Sequence, residues 1–176
     1  MLKQITLAAL SLGLISGFAV AQDVKVDYDK DANFAHIKTF ALKLGTSWGN
    51  PLSEKRVMNE FDQALTAKGW TKADAASADA VVVLHGATQV KKDLNTFYTG
   101  SAYRYRGFGG GTAQTTVSEY TVGTLVVDIF DAKSKALVFR GTASDELSDK
   151  PEKNQKKLAK ASEKMFKDFP PGSVKK

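Results

Sequence analysis

The sequence predicts an α+β fold: a two-layer sandwich in which an antiparallel or mixed sheet carries two helices packed on one face. Three observations lead there. Five segments show two-residue alternation or a β-branched run, only two show helical spacing, and most strands are joined by turn signals rather than by helices. The resulting order is β-β-α-β-β-β-α, with no internal repeat and no interdomain linker.

The first strand is read from Val24, Val26 and Tyr28 alternating with Lys25, Asp27 and Asp29, a half-buried pattern that ends in a polar turn at 29–33. Ile37, Thr39, Phe40 and Leu42 mark a second strand over 36–44, followed by a loop at 45–50. Asn50-Pro51 is a helix start: Asn caps, and Pro at the first helical position lacks an N–H that would have had no partner there. Val57, Phe61, Ala64 and Leu65 fall on one face of a helix over 51–68, and Gly69 supplies a left-handed stop. The run at 78–90 reads as a central strand with both faces covered or nearly so.

Residues 97–112 (FYTGSAYRYRGFGGGT) have no period and read as a Gly-loosened loop. Alternation returns over 115–130, where Gly123 suggests a bulge or bend. Residues 131–135 form a hairpin turn to a returning strand at 136–144. Ser148 or Asp149 is expected to cap a last helix beginning at Pro151. Leu158, Ala161, Met165 and Phe169 line its inner stripe, and Pro170-Pro171 ends it.

The first 21 residues have a different character. Lys3 gives a positive start, residues 5–20 form an apolar run, and Ala19-Val20-Ala21 places small residues where a signal peptidase cuts. The run is about 16 residues, short of the roughly 20 a spanning helix needs. The expectation is a secretory signal peptide over 1–21, cleavage between Ala21 and Gln22, and a single domain over 22–176 that is periplasmic or secreted.

Bulk composition narrows the chemistry. There is no cysteine, so stability must come from core packing rather than disulfides. A lipid anchor is not expected either, since Gln22 stands where a lipoprotein carries its acylated Cys. The net charge is +6 over 176 residues, and residues 150–176 hold nine Lys against Glu152, Glu163 and Asp168. That tail reads first as a solvated helix face and second as a contact for an anionic surface.

Of the candidate catalytic patterns, Gly45-Thr46-Ser47-Trp48-Gly49 fits a nucleophile elbow between a strand and a helix. A hydrolase would require Ser47 to be activated by His85, with Asp62, Asp74 or Asp79 orienting the imidazole. Against it stand the small number of helices and the apolar strand in which His85 lies. A calcium loop at 27–38 fails because position six is Ala32 and position twelve is Lys38. With no Cys and only His36 and His85, a structural zinc site is not expected, and no cofactor is expected. Gly109-Gly110-Gly111 lacks the Lys and the following helix of a phosphate loop. Carboxylate pairs for glycoside hydrolysis are not singled out by any spacing.

The remaining feature is aromatic and basic. Tyr98, Tyr103, Tyr105 and Phe108 interleave with Arg104 and Arg106. Aromatic faces stack on sugars, and Arg adds charge and cation–π contact; Tyr and Arg also dominate protein–protein hot spots. The plainer reading is a structural connection between two strands.

Several stretches together resemble one family. Asp27-Tyr28-Asp29, Ile37-Lys38-Thr39-Phe40-Ala41, Ala78-Asp79-Ala80-Val81-Val82-Val83 and the Tyr/Gly-rich loop open the match. Glu119-Tyr120-Thr121-Val122-Gly123-Thr124-Leu125, Asp128, Asp131-Ala132 and Leu137-Val138-Phe139-Arg140-Gly141-Thr142-Ala143 continue it, and Met165-Phe166-Lys167-Asp168-Phe169-Pro170-Pro171 closes it. In order and along the whole mature chain, these resemble the bacterial envelope family known as domain of unknown function 4136. The resemblance implies a small exported protein, often a lipoprotein, with no established activity, and it transfers no catalytic residue. The absence of the acylated Cys sets this chain apart from the lipoproteins of that pattern.

The reading that follows is an exported envelope module, non-enzymatic, that binds an envelope glycan, a lipid headgroup or a protein through the Tyr/Arg/Gly loop. Nucleic acid is not expected in that compartment. The alternatives are a small serine hydrolase on the GTSWG motif and a structural or stress protein without a discrete ligand.

Overall fold

The computed structural model describes residues 22–99 and 112–171. Along the chain lie β1 (Asp23–Tyr28), a 3-10 turn (Phe34–His36), β2 (Thr39–Leu44), α1 (Pro51–Ala67), β3 (Thr71–Lys72), β4 (Ala80–Thr99), β5 (Thr112–Asp131), β6 (Leu137–Glu146) and α2 (Pro151–Met165). The six strands form one mixed sheet in the order β1-β6-β5-β4-β2-β3. β1, β6, β5 and β4 are successively antiparallel. β4 runs parallel to β2, because α1 carries the chain back across the sheet between them. The fold is therefore the expected α+β class, with β3 as an added two-residue strand beside β2.

Pairing sets which side chains share a face. Phe40 lies opposite Ala80, and Leu42 opposite Val82. Val82 and Leu84 face Ile129 and Val127 across β5. These residues, with Phe139 and Ala143 of β6, form the floor of the core. The helices cover that floor: Phe61 and Leu65 come from α1, Ala161 and Met165 from α2, and all four are buried. Burying each large side chain contributes about 1.5–3 kcal/mol.

The turn after α2 completes the seal. Phe166 packs edge-on against Phe61 with ring centres 5.7 Å apart, and Phe169 meets Phe139 edge-on at 5.2 Å, the arrangement aromatic quadrupoles favour. Gly141 lies directly beneath Met165, so that a Cβ at this position would overlap the thioether. This glycine lets α2 approach β6.

Local details correct several expectations. Asn50 caps α1 as predicted, its side chain accepting from Ser53 N at 3.1 Å, and Gly69 takes φ 90° at the far end. Neither Ser148 nor Asp149 caps α2. The N-cap position falls at Lys150 without a side-chain bond. Asn154 reaches back instead, accepting from Ser148 N at 2.8 Å and donating to Ser148 O at 2.7 Å.

Gly123 is not a bulge: it stays in register opposite Thr88, and the register shift falls between Ile129 and Phe130. Gly123 leaves room for the Leu147 side chain, whose Cδ2 would sit 2.8 Å from an added Cβ. The strand expected to be covered on both faces has helices on one only. On the other face Val81, Val83, Val126 and Phe130 are half-buried by their neighbours in the sheet.

The largest departure is in the length of the central hairpin. β4 and β5 stay paired from Ala80–Asp131 to Thr99–Thr112. Residues 97–99 and 112 therefore belong to strands rather than to the predicted loop. Residues 91–99 lack apolar alternation, but the antiparallel partner satisfies the backbone groups along one of their two edges, and the Thr residues on both strands favour extended chain.

Candidate functional site

The sheet outruns its own edges. β2 leaves β4 after the pair Leu44–Leu84, and β6 leaves β5 at the pair Glu146–Val122. Past one further backbone bond on each side, Gly86 N to Thr46 O and Leu147 N to Thr121 O, no described strand flanks β4 or β5, which run on as a two-stranded arm. On the face continuous with the core floor, Leu94 lies opposite Val117 and Lys92 opposite Glu119. Lys92 Nζ and Glu119 Oε1 are 2.6 Å apart. Val90, Leu94 and Val117 are 59%, 69% and 52% exposed, which is unusual for three apolar side chains on one ribbon face.

The arm leads to the aromatic-basic segment. Tyr98 lies in β4, opposite Ala113, so it belongs to a strand rather than to a loop. Tyr103, Arg104, Tyr105, Arg106 and Phe108 lie outside the described residues, as does Ala21. Gln22 is described: its side-chain amide donates to Lys157 O at 2.8 Å, tying the start of the domain to α2.

Where the arm leaves the body, the first turns of α1 and α2 and the sheet enclose a cleft of about 540 Å³. Trp48, Arg56, Thr88, Leu147 and Lys157 contribute to its walls. Trp48 is held at three points. Its indole N–H donates to Ser53 Oγ at 2.6 Å, its backbone N–H donates to Glu54 Oε1 at 3.1 Å, and its ring rests on Gly86, where a Cβ would collide with it.

The GTSWG motif does not assemble the expected hydrolase. Ser47 Oγ donates to Glu54 Oε1 at 2.6 Å and accepts from Gly49 N at 3.2 Å. His85 is met by Thr46 instead, through Oγ1 at 3.0 Å and the backbone N–H at 3.2 Å, both at Nδ1. None of the three expected acids orients His85. Asp62 pairs with Lys72 at 2.6 Å. Asp79 accepts from the backbone N–H groups of Lys38 and Thr39 and from the Thr39 hydroxyl. The carbonyl of Asp74 closes the turn before β4. The carboxylate near His85 is that of Asp128, with Nε2 and Oδ2 4.0 Å apart, beyond hydrogen-bond reach.

Asp128 is instead gripped by Arg140 through two bonds of 2.6 Å. Sequence reasoning missed this pair. Asp128 reads as one polar residue in an alternating strand, and only the β5–β6 register sets it opposite Arg140. The second histidine, His36, lies 2.8 Å from Asp131 Oδ2. The Asp131 carboxyl is drawn down to about 2, first by the Ser134 backbone N–H, with the Ser134 hydroxyl and His36 adding to it against the cost of burial. The Asp79 carboxyl is also lowered, first by the Lys38 N–H and then by the Thr39 hydroxyl and N–H. Among the described residues no group of three or more His, Cys, Asp or Glu side chains could hold a metal ion. No described helix is long and apolar enough to cross a membrane.

Fold and arm together define a class: a two-layer α+β domain with a strand hairpin projecting from its sheet. The chain belongs to the family described as Domain of unknown function (DUF4136), whose model matches residues 24–171. No curated protein matches the sequence. Among solved structures, a PDZ domain protein from Parabacteroides distasonis is similar over 87% of this chain, at 17% identity and a TM-score of 0.52. The chain spans 37% of that protein's length, and the likeness is one of fold. The PelC dodecamer from Paraburkholderia phytofirmans is matched over 80% of this chain and 94% of its own, at 13% identity and a TM-score of 0.46.

Proposed function

We propose that this protein is an exported, non-enzymatic module of the bacterial cell envelope. It binds a macromolecular partner through the segment that joins β4 to β5. The observation that supports the reading is the arm itself. A hairpin paired from Ala80–Asp131 out to Thr99–Thr112 extends past both neighbouring strands, and the chain between its ends carries Tyr103, Arg104, Tyr105, Arg106 and Phe108. Tyr98 stands at the root of that segment. Tyr and Arg there suit stacking on sugar rings combined with charge-assisted bonds to phosphate or carboxylate groups. The ligand class is an envelope glycan, an anionic headgroup or a protein surface; no cofactor is invoked. Ser47, turned toward Glu54, gives no support to a hydrolase.

Residues 1–21 are assigned as a cleaved signal peptide, and the mature chain starts at Gln22 and works in the periplasm or outside the cell. Intact-mass measurement of the protein recovered from the envelope fraction should give a chain beginning at Gln22; recovery of the uncleaved chain in the cytoplasm would overturn the export assignment. For the binding surface, the purified protein is co-sedimented with cell-wall glycan and with outer-membrane vesicles. The triple variant Tyr103→Ala/Arg104→Ala/Tyr105→Ala should lose most of the binding while keeping its thermal midpoint. Undiminished binding by that variant would remove the segment from the reading.

A further inference from the structure

We propose that the free edge of β4 in the arm is a self-docking surface, on which a second copy of this chain pairs antiparallel through the same residues. A two-stranded ribbon standing alone in water is marginally stable. A strand edge with unpaired N–H and C=O groups is also a template for another strand. No described strand covers β4 beyond the end of β2.

The backbone fixes which groups face that edge. Leu84 O accepts from Gly45 N, and Gly86 N donates to Thr46 O. The even-numbered residues of β4 therefore turn their N–H and C=O groups away from β5, and along the arm these include Thr88, Val90, Lys92 and Leu94. An antiparallel pairing of two such edges about a two-fold axis at Lys92 makes a hydrogen-bonded pair at the centre.

The side chains in this register complement one another. Rotating Val90-Lys91-Lys92-Asp93-Leu94 about Lys92 sets Val90 against Leu94 of the second copy and Lys91 against Asp93 of the second copy. The two Lys–Asp pairs fall at the non-hydrogen-bonded positions, where opposed side chains approach most closely. The two Lys92 side chains meet at the axis, each already neutralised by its own Glu119. Val90 and Leu94, both largely exposed in the single chain, cover each other on the face they share with Val117.

The opposite edge of the arm offers no such match. Across residues 115–121 of β5 the only charge is Glu119. On the β4 side, the segment bearing Thr46 and Trp48 already occupies the edge near Gly86. It confines the shared ladder to residues 88–96. The product is a continuous four-stranded ribbon between two domains, independent of whatever the segment beyond Thr99 binds.

The test is the sedimentation of the purified protein, with no envelope material present, alone and as charge variants. The wild type should be a dimer at micromolar concentration. Lys91→Asp and Asp93→Lys each oppose like charges twice by symmetry, and each should weaken the dimer by at least about ten-fold. Mixed in equal amounts, the two single variants should form a heterodimer, and the double variant Lys91→Asp/Asp93→Lys should dimerise again. The far-UV circular dichroism of each single variant should show the same fold, because both side chains are solvent-exposed in the single chain. A wild type that remains monomeric overturns the proposal, whether or not a foreign strand occupies the edge, and so do single variants that dimerise like the wild type.

Discussion

Arg140 grips Asp128 with two parallel bonds, Nε to Oδ1 and Nη2 to Oδ2, each 2.6 Å long, across the face of the sheet that carries no helix. The carboxylate is 3% exposed while the guanidinium remains half in water. The bonds to Asp128, and then its charge, raise the guanidinium's already high pKa further. Burial of a carboxylate is tolerated only with such a partner.

Removing the partner should therefore be costly. Arg140→Ala strands the Asp128 carboxylate with only a histidine 4.0 Å away. We expect a clear drop in the urea midpoint, because the Asp128 carboxylate loses its partner, though a smaller one than for a wholly buried ion pair because the arginine is half exposed. Arg140→Lys should recover only part of this, since an ammonium cannot engage both oxygens in a planar fork. A variant as stable as the wild type would show that the pair contributes nothing.

Gly141→Ala tests the seat of α2. The added methyl overlaps Met165, and overpacking of this kind costs about 1–3 kcal/mol. The companion variant Gly141→Ala/Met165→Ala should be more stable than the sum of the two single changes allows, because each relieves the other. Strict additivity in thermal unfolding would argue against the contact.

Asp131 gives a pH signature. Its folded carboxyl lies at about 2 against a usual 3.8, held first by the Ser134 N–H. Above the unfolded value both states are ionised and the stabilisation is fully present. As pH falls from 3.8 toward 2, the unfolded chain takes up a proton first, and the stabilisation is lost. The thermal midpoint of the wild type should drop across that window, and Asp131→Asn should show a shallower drop. Parallel curves for the two proteins would show that another carboxylate governs acid unfolding.

Asp79 latches the start of β2 to the start of β4 through the N–H groups of Lys38 and Thr39 and the Thr39 hydroxyl. Asp79→Ala leaves those donors to water and should cost roughly 1–2 kcal/mol. Amide exchange at Thr39 should accelerate more than at Val82, in the middle of the ladder. Equal acceleration at both would mean the effect is global rather than local.

The sequence by itself determined the α+β class, the two helices with their Pro starts and the Gly69 stop. Periodicity and capping are local physics, expressed within a few residues of chain. The inner stripe expected of the last helix was legible for the same reason: Ala161 and Met165 reach the core from α2, although the helix stops at Met165 and Phe169 reaches it from the turn beyond. Tertiary structure alone decided the length of the arm, since residues 91–99 become a strand only because another strand pairs with them. It also decided that His85 bonds Thr46 and lies near Asp128, rather than engaging Ser47 and the acids expected from chain order, and that Asp128 faces Arg140. Those partners lie on different strands or loops, and their meeting depends on sheet order and register, which no local pattern encodes.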